Sequence, residues 1–321
     1  MAFQTRSGRL KAAAPARPFL PGARKTSPMP RVALVLLVPI ACIGVTAQEG
    51  PQEPIAQFSS SVQLVEVYAS VTDAKGEPVT GLKQRDFAVE ENSTPQEVST
   101  FAAGEFPLTV ALGLDRSWSM AGEPLRLAKL ASQAFLKELK PKDRSMVVAI
   151  SNEADVIAPL STDRLSQTRA IDAVDPWSTT ALHDAIIAAL DRLEPEQGRQ
   201  ALILFSDGSD RYSQHSAADV VERARRSNAL IYPIAIGKNR PALLAELAVL
   251  TGGRSFLLRD PRDLQATLST IARELRNQYL IGYTPVDPIV RGEREWRSIR
   301  VTLANPRPGV RVRARDGYTT E

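Results

Sequence analysis

The sequence predicts an α/β protein in which a doubly wound, mostly parallel sheet is flanked by two β segments that pair into a small β-sandwich. Between residues 105 and 277, short apolar runs alternate with amphipathic stretches of helical period. Strands that are apolar along their whole length are typical of a parallel sheet covered by helices on both faces. At 59–103 and 278–321, the apolar residues instead alternate or cluster in short β-rich runs.

Five apolar runs are predicted to form the strands of the sheet, with helical stretches between them. In chain order these runs are PLTVALGLD, SMVVAIS, QALILFSD, ALIYPIAIG and RSFLLR. Pro124 is expected at the start of the first helix, where its missing N–H costs little. Gly252 is expected to end a later helix, and Asp260 to be the N-cap of the last one.

The two flanking segments are predicted to belong together. Residues 59–103 form an immunoglobulin-like, β-rich segment, and a polar, proline-containing linker at 48–58 precedes it. Residues 278–321 form a second β segment after the α/β region. The economical hypothesis is that both segments pair into one sandwich, with the α/β domain at 105–277 inserted between them.

Residues 1–47 have the pattern of an export signal. They contain seven basic residues and no acidic residue, and the apolar run VALVLLVPIACIGV is followed by VTA. The pattern predicts a signal peptide and a secreted, periplasmic or cell-envelope location. The alternative is an uncleaved anchor, the only membrane contact that we expect, although Pro39 interrupts a run already short for a span. Because a complete signal peptide begins at Met29, that methionine is the expected start of translation.

Charge and cysteine content exclude several classes of protein. The net charge of +4 comes from the leader, because the chain after residue 47 has 33 basic and 36 acidic residues. A basic surface for nucleic acid is therefore not expected. The single cysteine, Cys42, lies in the leader, so the rest of the chain has no disulfide. Cys42 is a candidate for lipidation, although Pro39 stands where a lipoprotein signal carries leucine.

Polar side chains directly follow two of the predicted strands. Asp115, Ser117 and Ser119 come after the first strand, and Asp207 follows the third. Thr180 lies at the start of a helix between them. Because ligands bind beyond the carboxyl ends of strands in open parallel sheets, these side chains are expected to meet there. The set contains only carboxylate and hydroxyl oxygens, which favours Mg²⁺, Mn²⁺ or Ca²⁺ over zinc or copper.

The order of these five residues resembles the metal-ion-dependent adhesion site of von Willebrand factor type A domains. The resemblance extends over about 170 residues and implies a Rossmann-like fold with the metal at the top of the sheet. It implies that Ser117, Ser119 and Thr180 bind the cation directly, and that Asp115 and Asp207 bind it directly or through water. One coordination position is then left for an acidic group of a protein partner.

Three neighbouring residues are expected to contact that partner: Arg116, Trp118 and Thr179. Arg116 and Trp118 occupy the positions between the ligands, where the family usually has small or lightly polar residues. The sequence WST, which ends at Thr179, precedes Thr180 where the family usually has glycines. Thr179 is therefore also the alternative to Thr180 as a metal ligand.

The sequences on either side of the α/β region resemble a particular group of proteins related to this family. VTDAKGEPVTGLKQRDFAVEEN and LRNQYLIGYTP are similar to those of exported acidobacterial proteins related to the same family. The resemblance implies an exported, divalent-cation-dependent, adhesion-type module that binds a protein and is not an enzyme, with no small-molecule substrate. The alternative is a structural or scaffold protein of the envelope that binds its partners independently of the metal.

A hydrolase is a third class to consider. Ser119, His183 and Asp207 have the residue types of a catalytic triad, but no Gly-x-Ser-x-Gly sequence is present. His183 and His215 are the only histidines, and both are expected to be non-catalytic.

Overall fold

The computed structural model describes residues 64–104, 106–290 and 292–320. The leader and the linker at 48–58 lie outside the described residues. The expectations for Met29 and Cys42 therefore stay predictions.

The described residues form fourteen strands and six α-helices. The strands are β1 (Val65–Thr72), β2 (Phe87–Glu91), β3 (Thr94–Gln96), β4 (Val98–Ala103), β5 (Leu108–Asp115), β6 (Arg144–Ile150), β7 (Ala154–Ser161), β8 (Arg199–Ser206), β9 (Leu230–Ile236), β10 (Phe256–Leu258), β11 (Tyr279–Tyr283), β12 (Trp296–Leu303), β13 (Arg311–Arg313) and β14 (Gly317–Thr319). The helices are α1 (Glu123–Glu138), α2 (Arg164–Asp172), α3 (Leu182–Leu193), α4 (Ala217–Arg226), α5 (Ala242–Thr251) and α6 (Leu264–Arg276).

A six-stranded sheet forms the centre of the α/β region, in the order β10-β9-β8-β5-β6-β7. Its neighbouring strands run parallel except for β7, which is antiparallel to β6. The central strands β5 and β8 pair with each other, and every residue of both is buried. The carboxyl ends of β5 and β8 therefore lie side by side at one edge of the sheet.

The helices cover both faces of this sheet. On one face, Phe135 of α1 and Ile271 of α6 belong to the same apolar cluster as Val110 of β5. On the other face, Ile186 of α3 belongs to a cluster with Ala111. Val110 and Ala111 are adjacent on β5, so the strand buries both of its faces, as a continuous apolar run predicts. The doubly wound, mostly parallel α/β fold is confirmed.

The flanking segments form two four-stranded sheets, in the orders β13-β1-β11-β4 and β14-β12-β2-β3. Each sheet contains strands from before and after the α/β region, because β1 pairs with β11 and β12 pairs with β2, both antiparallel. Val67 and Ile281 of the first sheet share one apolar cluster with Val89 and Val301 of the second. The prediction that the two β segments pair into a sandwich is confirmed.

Two cationic side chains, the buried Arg199 and the partly exposed Arg313, connect the sandwich to the α/β region. The guanidinium of Arg199, at the start of β8, lies 5.4 Å from the ring centre of Tyr68 and 5.1 Å from that of Phe106. Burial lowers the pKa of Arg199 to about 10. Arg313 of β13 forms an ion pair of 2.5 Å with Glu274 of α6. These contacts hold the first sheet of the sandwich against the edge of the central sheet opposite the strand ends that carry the predicted site.

The antiparallel edge strand β7 is absent from the sequence-based expectation. Only Ala158 of its residues is buried, and Pro159 interrupts the run. Proline is tolerated in a sheet at an edge, where a ladder hydrogen bond is not required. A half-exposed edge strand with a proline therefore lacks the apolar pattern that identifies the other strands.

The expectation that Asp260 is the N-cap of the last helix is wrong. Helix α6 begins at Leu264, and Asp263 occupies the N-cap position. Asp260 instead accepts a hydrogen bond of 2.8 Å from the backbone N–H of Arg262, in a short 3₁₀ turn before the helix. Gly252 ends α5 as predicted, with φ at +78°, and a Cβ there would lie 2.5 Å from the backbone of Ala314.

None of the helices in the described part of the chain has both the length and the apolar character needed to span a membrane.

A buried carboxylate joins the two sheets of the sandwich. Glu91 of β2 accepts hydrogen bonds from the hydroxyls of Tyr283, at 2.8 Å, and Tyr318, at 2.9 Å. Tyr283 belongs to the opposite sheet, and burial together with the hydrogen bond to Glu91 raises its pKa. Arg297 of β12 forms an ion pair with Glu91 at 3.0 Å, and both side chains are almost fully buried.

We expect Glu91→Ala to lower the free energy of unfolding by about 3–5 kcal/mol, because it removes the buried carboxylate that pairs with Arg297 and leaves that guanidinium only the more exposed Glu295, at 3.3 Å, as an ionic partner. Urea denaturation at neutral pH measures this change. The control is Glu90→Ala on the same strand. The side chain of Glu90 is 40% exposed and lies 3.9 Å from Arg300, so a loss below about 1 kcal/mol is expected. Equal losses in the two variants would contradict the role assigned to Glu91.

Candidate metal-binding site

Two loops at the carboxyl edge of the central sheet are hydrogen-bonded to each other. The first follows β5, and the second precedes α3. The backbone N–H of Trp177 donates to the carbonyl of Arg116 at 2.7 Å, and that of Trp118 donates to the carbonyl of Ser178 at 3.1 Å. These bonds bring the Asp115–Ser119 segment against the second loop, which contains Thr179 and Thr180. We call it the threonine loop.

A third loop, after β8, is tied to the threonine loop. The backbone N–H groups of Arg211 and Tyr212 both donate to the carbonyl of Thr180, at 2.9 and 3.0 Å. The carboxylate of Asp210 accepts from the backbone N–H of Leu182 at 2.7 Å and so satisfies a donor in the first turn of α3. The three loops that carry the sequence-predicted ligands therefore form one connected edge.

Asp115 is the buried centre of this edge. Its carboxylate has no exposed surface and accepts hydrogen bonds from the backbone N–H of Ser117 at 2.9 Å and from the hydroxyl of Ser206 at 2.6 Å. Burial raises the pKa of Asp115, and the nearby negative charge of Asp207 raises it further. Neither aspartate forms an ion pair with a basic side chain among the described residues. A buried carboxylate beside a second one, without a cationic partner, fits a divalent cation.

The predicted hydroxyl ligands lie on the same three loops. The Oγ atoms of Ser117 and Ser119 are 3.1 Å apart, so the alternate spacing turns both hydroxyls to one point. Thr180 is buried, and within the described residues its hydroxyl makes no hydrogen bond. Thr179 is half-buried. Asp207 is also half-buried, and its carboxylate accepts from the backbone N–H of Ser209 at 2.8 Å.

The donor set is composed only of oxygen atoms. Carboxylate and hydroxyl groups are the ligands of Mg²⁺, Mn²⁺ and Ca²⁺, whereas zinc and copper favour nitrogen and sulfur. Among the described residues, no group of three or more His, Cys, Asp or Glu side chains is placed to hold a metal ion. The candidate site differs from such a cluster because hydroxyls provide more than half of its donors.

Ser206 is a site residue that the sequence analysis missed. It is buried at the end of β8, accepts from the backbone N–H of Gly208 at 2.9 Å and donates to Asp115. The available signal was only its position, directly before Asp207 at the end of a predicted strand. Ser206 thus holds the orientation of the Asp115 carboxylate across two neighbouring strands.

The structure separates the roles of the two residues between the ligands. The guanidinium of Arg116 lies 3.4 Å from the carboxylate of Asp155 on β7. Trp118 has an exposed side chain. Arg116 is therefore held by an edge strand that the sequence did not reveal, whereas Trp118 is free to contact another molecule.

Among the described residues, neither histidine is hydrogen-bonded to Ser119 or to Asp207. Nδ1 of His183 lies 3.0 Å from the carbonyl oxygen of His215 and 3.6 Å from the carboxylate of Asp210. Nδ1 of His215 lies 2.8 Å from the carboxylate of Asp184. The hydroxyl of Ser119 contacts Ser117. A nucleophilic serine needs a histidine within hydrogen-bonding reach, and these contacts direct His183 elsewhere.

Comparisons with known proteins agree with this architecture. A family model described as the von Willebrand factor type A domain matches residues 110–270. The inter-alpha-trypsin inhibitor heavy chain H4 of Homo sapiens is 23% identical over 195 residues, which cover 56% of this chain and 21% of that protein. The Bos taurus protein of the same name is 22% identical over 200 residues, covering 57% and 21%. The chain thus spans about a fifth of the length of these relatives.

Solved structures with similar folds were also found. A von Willebrand factor type A protein from Catenulispora acidiphila is 16% identical, with a TM-score of 0.48, and the match covers 79% of this chain and 73% of that one. Proximal thread matrix protein 1 from the mussel byssus, with a zinc-occupied MIDAS motif, is 17% identical, with a TM-score of 0.49, covering 58% and 49%.

The family model covers half of the chain, from the third residue of β5 to the middle of α6. The observed sheet order, with helices on both faces, is a doubly wound arrangement. The chain belongs to the von Willebrand factor type A domain family.

Proposed function

We propose that this chain is an exported protein-binding module that uses a divalent cation as its point of attachment. Five residues hold the cation in this proposal: Asp115, Ser117, Ser119, Thr180 and Asp207. A carboxylate of the partner completes the coordination shell. The cation is Mg²⁺, with Mn²⁺ or Ca²⁺ as the alternatives that the same oxygen ligands accept.

The observation that carries the proposal is the buried carboxylate of Asp115. It has no cationic partner among the described residues, and the second carboxylate of Asp207 is close enough to raise its pKa. Two negative charges in a poorly solvated site repel each other, and a divalent cation between them removes that repulsion. The uncharged hydroxyls add ligands without adding charge, so the bound cation still attracts an anionic group from outside.

The threonine loop supports Thr180 as the third hydroxyl ligand. Thr180 is buried and its carbonyl is fixed by two hydrogen bonds from the loop after β8. Thr179, directly beside it, is half-buried. We propose that Thr179, Arg116 and Trp118 contact the partner, with Arg116 kept in place by its ion pair with Asp155.

A role as a binding module and not as an enzyme is supported by the contacts of the histidines. His183 and Ser119 have different partners, and neither is joined to Asp207 by a hydrogen bond within the described residues. The leader sequence supports export to the envelope or beyond. The competing scaffold function makes a different prediction, because its partner binds with the cation removed.

We expect Asp115→Asn to abolish the response of the chain to divalent cations. In the wild-type chain, saturating Mg²⁺ or Mn²⁺ stabilises the folded state by about 2.7 kcal/mol at a hundredfold excess over Kd, which raises the melting temperature. The variant loses a carboxylate charge without leaving a cavity, so it folds but gains nothing from the cation. The control, Asp175→Asn, changes an exposed aspartate of the threonine loop and keeps the full response. If the cation raised the melting temperature of Asp115→Asn as much as that of the wild-type chain, the proposed metal site would be wrong.

Partner binding is expected to depend on the cation. The wild-type chain should capture a protein from an envelope extract in Mg²⁺, and excess EDTA should release it. Asp115→Asn should capture none of it, and Asp175→Asn should capture as much as wild type. Capture that persists in EDTA and in the Asp115 variant would contradict this proposal and support the scaffold alternative.

A further inference from the structure

The exposed aromatic side chains of the described residues are concentrated at the candidate metal site. Trp118, Trp177 and Tyr212 are 65, 59 and 62% exposed, and no other aromatic residue in the described part of the chain is exposed to this degree. One lies on each of the three loops of the site. We call these three side chains the aromatic rim.

Backbone hydrogen bonds hold the aromatic rim close to the ligands. Trp118 lies between Ser117 and Ser119, and its N–H donates to the second loop. The N–H of Trp177 donates back to the first loop, and the N–H of Tyr212 donates to the carbonyl of Thr180 at 3.0 Å. The positions of the three residues are therefore fixed by the same bonds that assemble the site.

The fold itself gains little from these rings. Aromatic side chains stabilise proteins chiefly by removing their large surface from water, and the rim leaves more than half of that surface exposed. Scattered exposed apolar residues are ordinary in folded proteins. Three of the exposed aliphatic residues fit that description, because Leu130, Leu165 and Val249 lie on three different helices. The other three belong to the flanking segments: Leu64 directly precedes β1, and Val286 and Val290 lie between β11 and β12. The aromatic residues do not, because all three adjoin one site.

The charges at the site select among possible occupants. The two aspartates balance a divalent cation, and the exposed Arg211 lies next to Tyr212. A basic side chain next to the partner's carboxylate would be repelled by Arg211. Apolar side chains bring no charge and gain by covering the rings.

Coordination number favours a protein carboxylate over a sugar. Mg²⁺ takes six ligands, and the proposed set supplies five, which leaves one position. A single carboxylate oxygen fills one position, whereas a vicinal diol of a sugar requires two.

We propose that the aromatic rim binds the residues on either side of the partner's carboxylate, so that the chain selects an acidic residue flanked by apolar side chains in an exposed protein loop. This inference rests on the proposed function and adds a preference for the sequence around the acidic residue. Aromatic residues are frequent among the side chains that carry most of the binding energy of an interface.

The test uses disulfide-closed heptapeptides with a fixed central Asp, displayed on phage and selected on the full chain in Mg²⁺. A matched library has Asn at the centre. We expect selection from the Asp library alone, release by EDTA, and enrichment of apolar residues beside the Asp. The triple variant Trp118→Ala, Trp177→Ala, Tyr212→Ala should bind the selected peptides at least about tenfold more weakly. Calorimetry with Mn²⁺ shows whether that variant still binds the cation.

The control variant Leu130→Ala, Leu165→Ala, Val249→Ala removes exposed apolar side chains away from the site and should bind like wild type. The role proposed for the aromatic rim would be overturned by cation-dependent selection of Asp peptides without an apolar preference, or by unchanged affinity in the triple variant. Either result would leave the proposed function standing. Selection of peptides that depends neither on the central Asp nor on the cation would overturn both the role of the rim and the proposed function. Cation-dependent binding to a glycan array, with no peptide selected, would assign the rim to sugars instead.

Discussion

The hydrogen bond between the hydroxyl of Ser206 and the carboxylate of Asp115 connects the ends of the two central strands, and the arrangement of the site depends on it. At 2.6 Å it links β8 to β5 at the carboxyl edge of the sheet. Because the two strands are parallel neighbours, Asp115 and Asp207 meet at that edge although more than ninety residues separate them. The loops that carry the proposed ligands Ser117, Ser119 and Thr180 are connected to these two strand ends by backbone hydrogen bonds.

This connection places two like charges together in a poorly solvated position. The repulsion between these charges is offset by the apolar residues buried on both faces of the rest of the sheet. A carboxylate that contributed only to stability would be better placed on the surface or against a basic side chain. Glu91 in the sandwich shows the contrast, because it is almost as fully buried but its charge is paired with Arg297 and it accepts hydrogen bonds from two tyrosine hydroxyls. The sandwich thus satisfies its buried charge internally, whereas in the proposed function an external cation balances the charge of the α/β region.

Much of this arrangement could be predicted from the sequence. Continuous apolar runs identified five of the six strands of the central sheet, and the polar residues directly after them marked the carboxyl edge. The pairing of the flanking segments was also predictable, because neither had helical period. The edge strand β7 was not, since its residues are half-exposed and include Pro159. The partner of Arg116 was missed for the same reason, because Asp155 lies on that strand.

Other features depend on three-dimensional neighbours that no local pattern records. Ser206 looks like the last residue of a strand until its pairing with β5 is known. Trp177 and Tyr212 lie 59 and 94 residues after Trp118, and only the hydrogen bonds between loops bring them to one site. Contacts between loops are set by sheet order and register, which a list of apolar runs does not contain.

The central claim is that a divalent cation lies between Asp115, Asp207 and the three hydroxyls. Anomalous diffraction at the manganese edge, from crystals of the chain grown with Mn²⁺, tests it directly. The account predicts one strong peak about 2.0–2.6 Å from the oxygens of Ser117, Ser119 and Thr180, within the range of hard-cation ligands. A well-ordered site without a peak, or a peak bound by Thr179 and not Thr180, would contradict it.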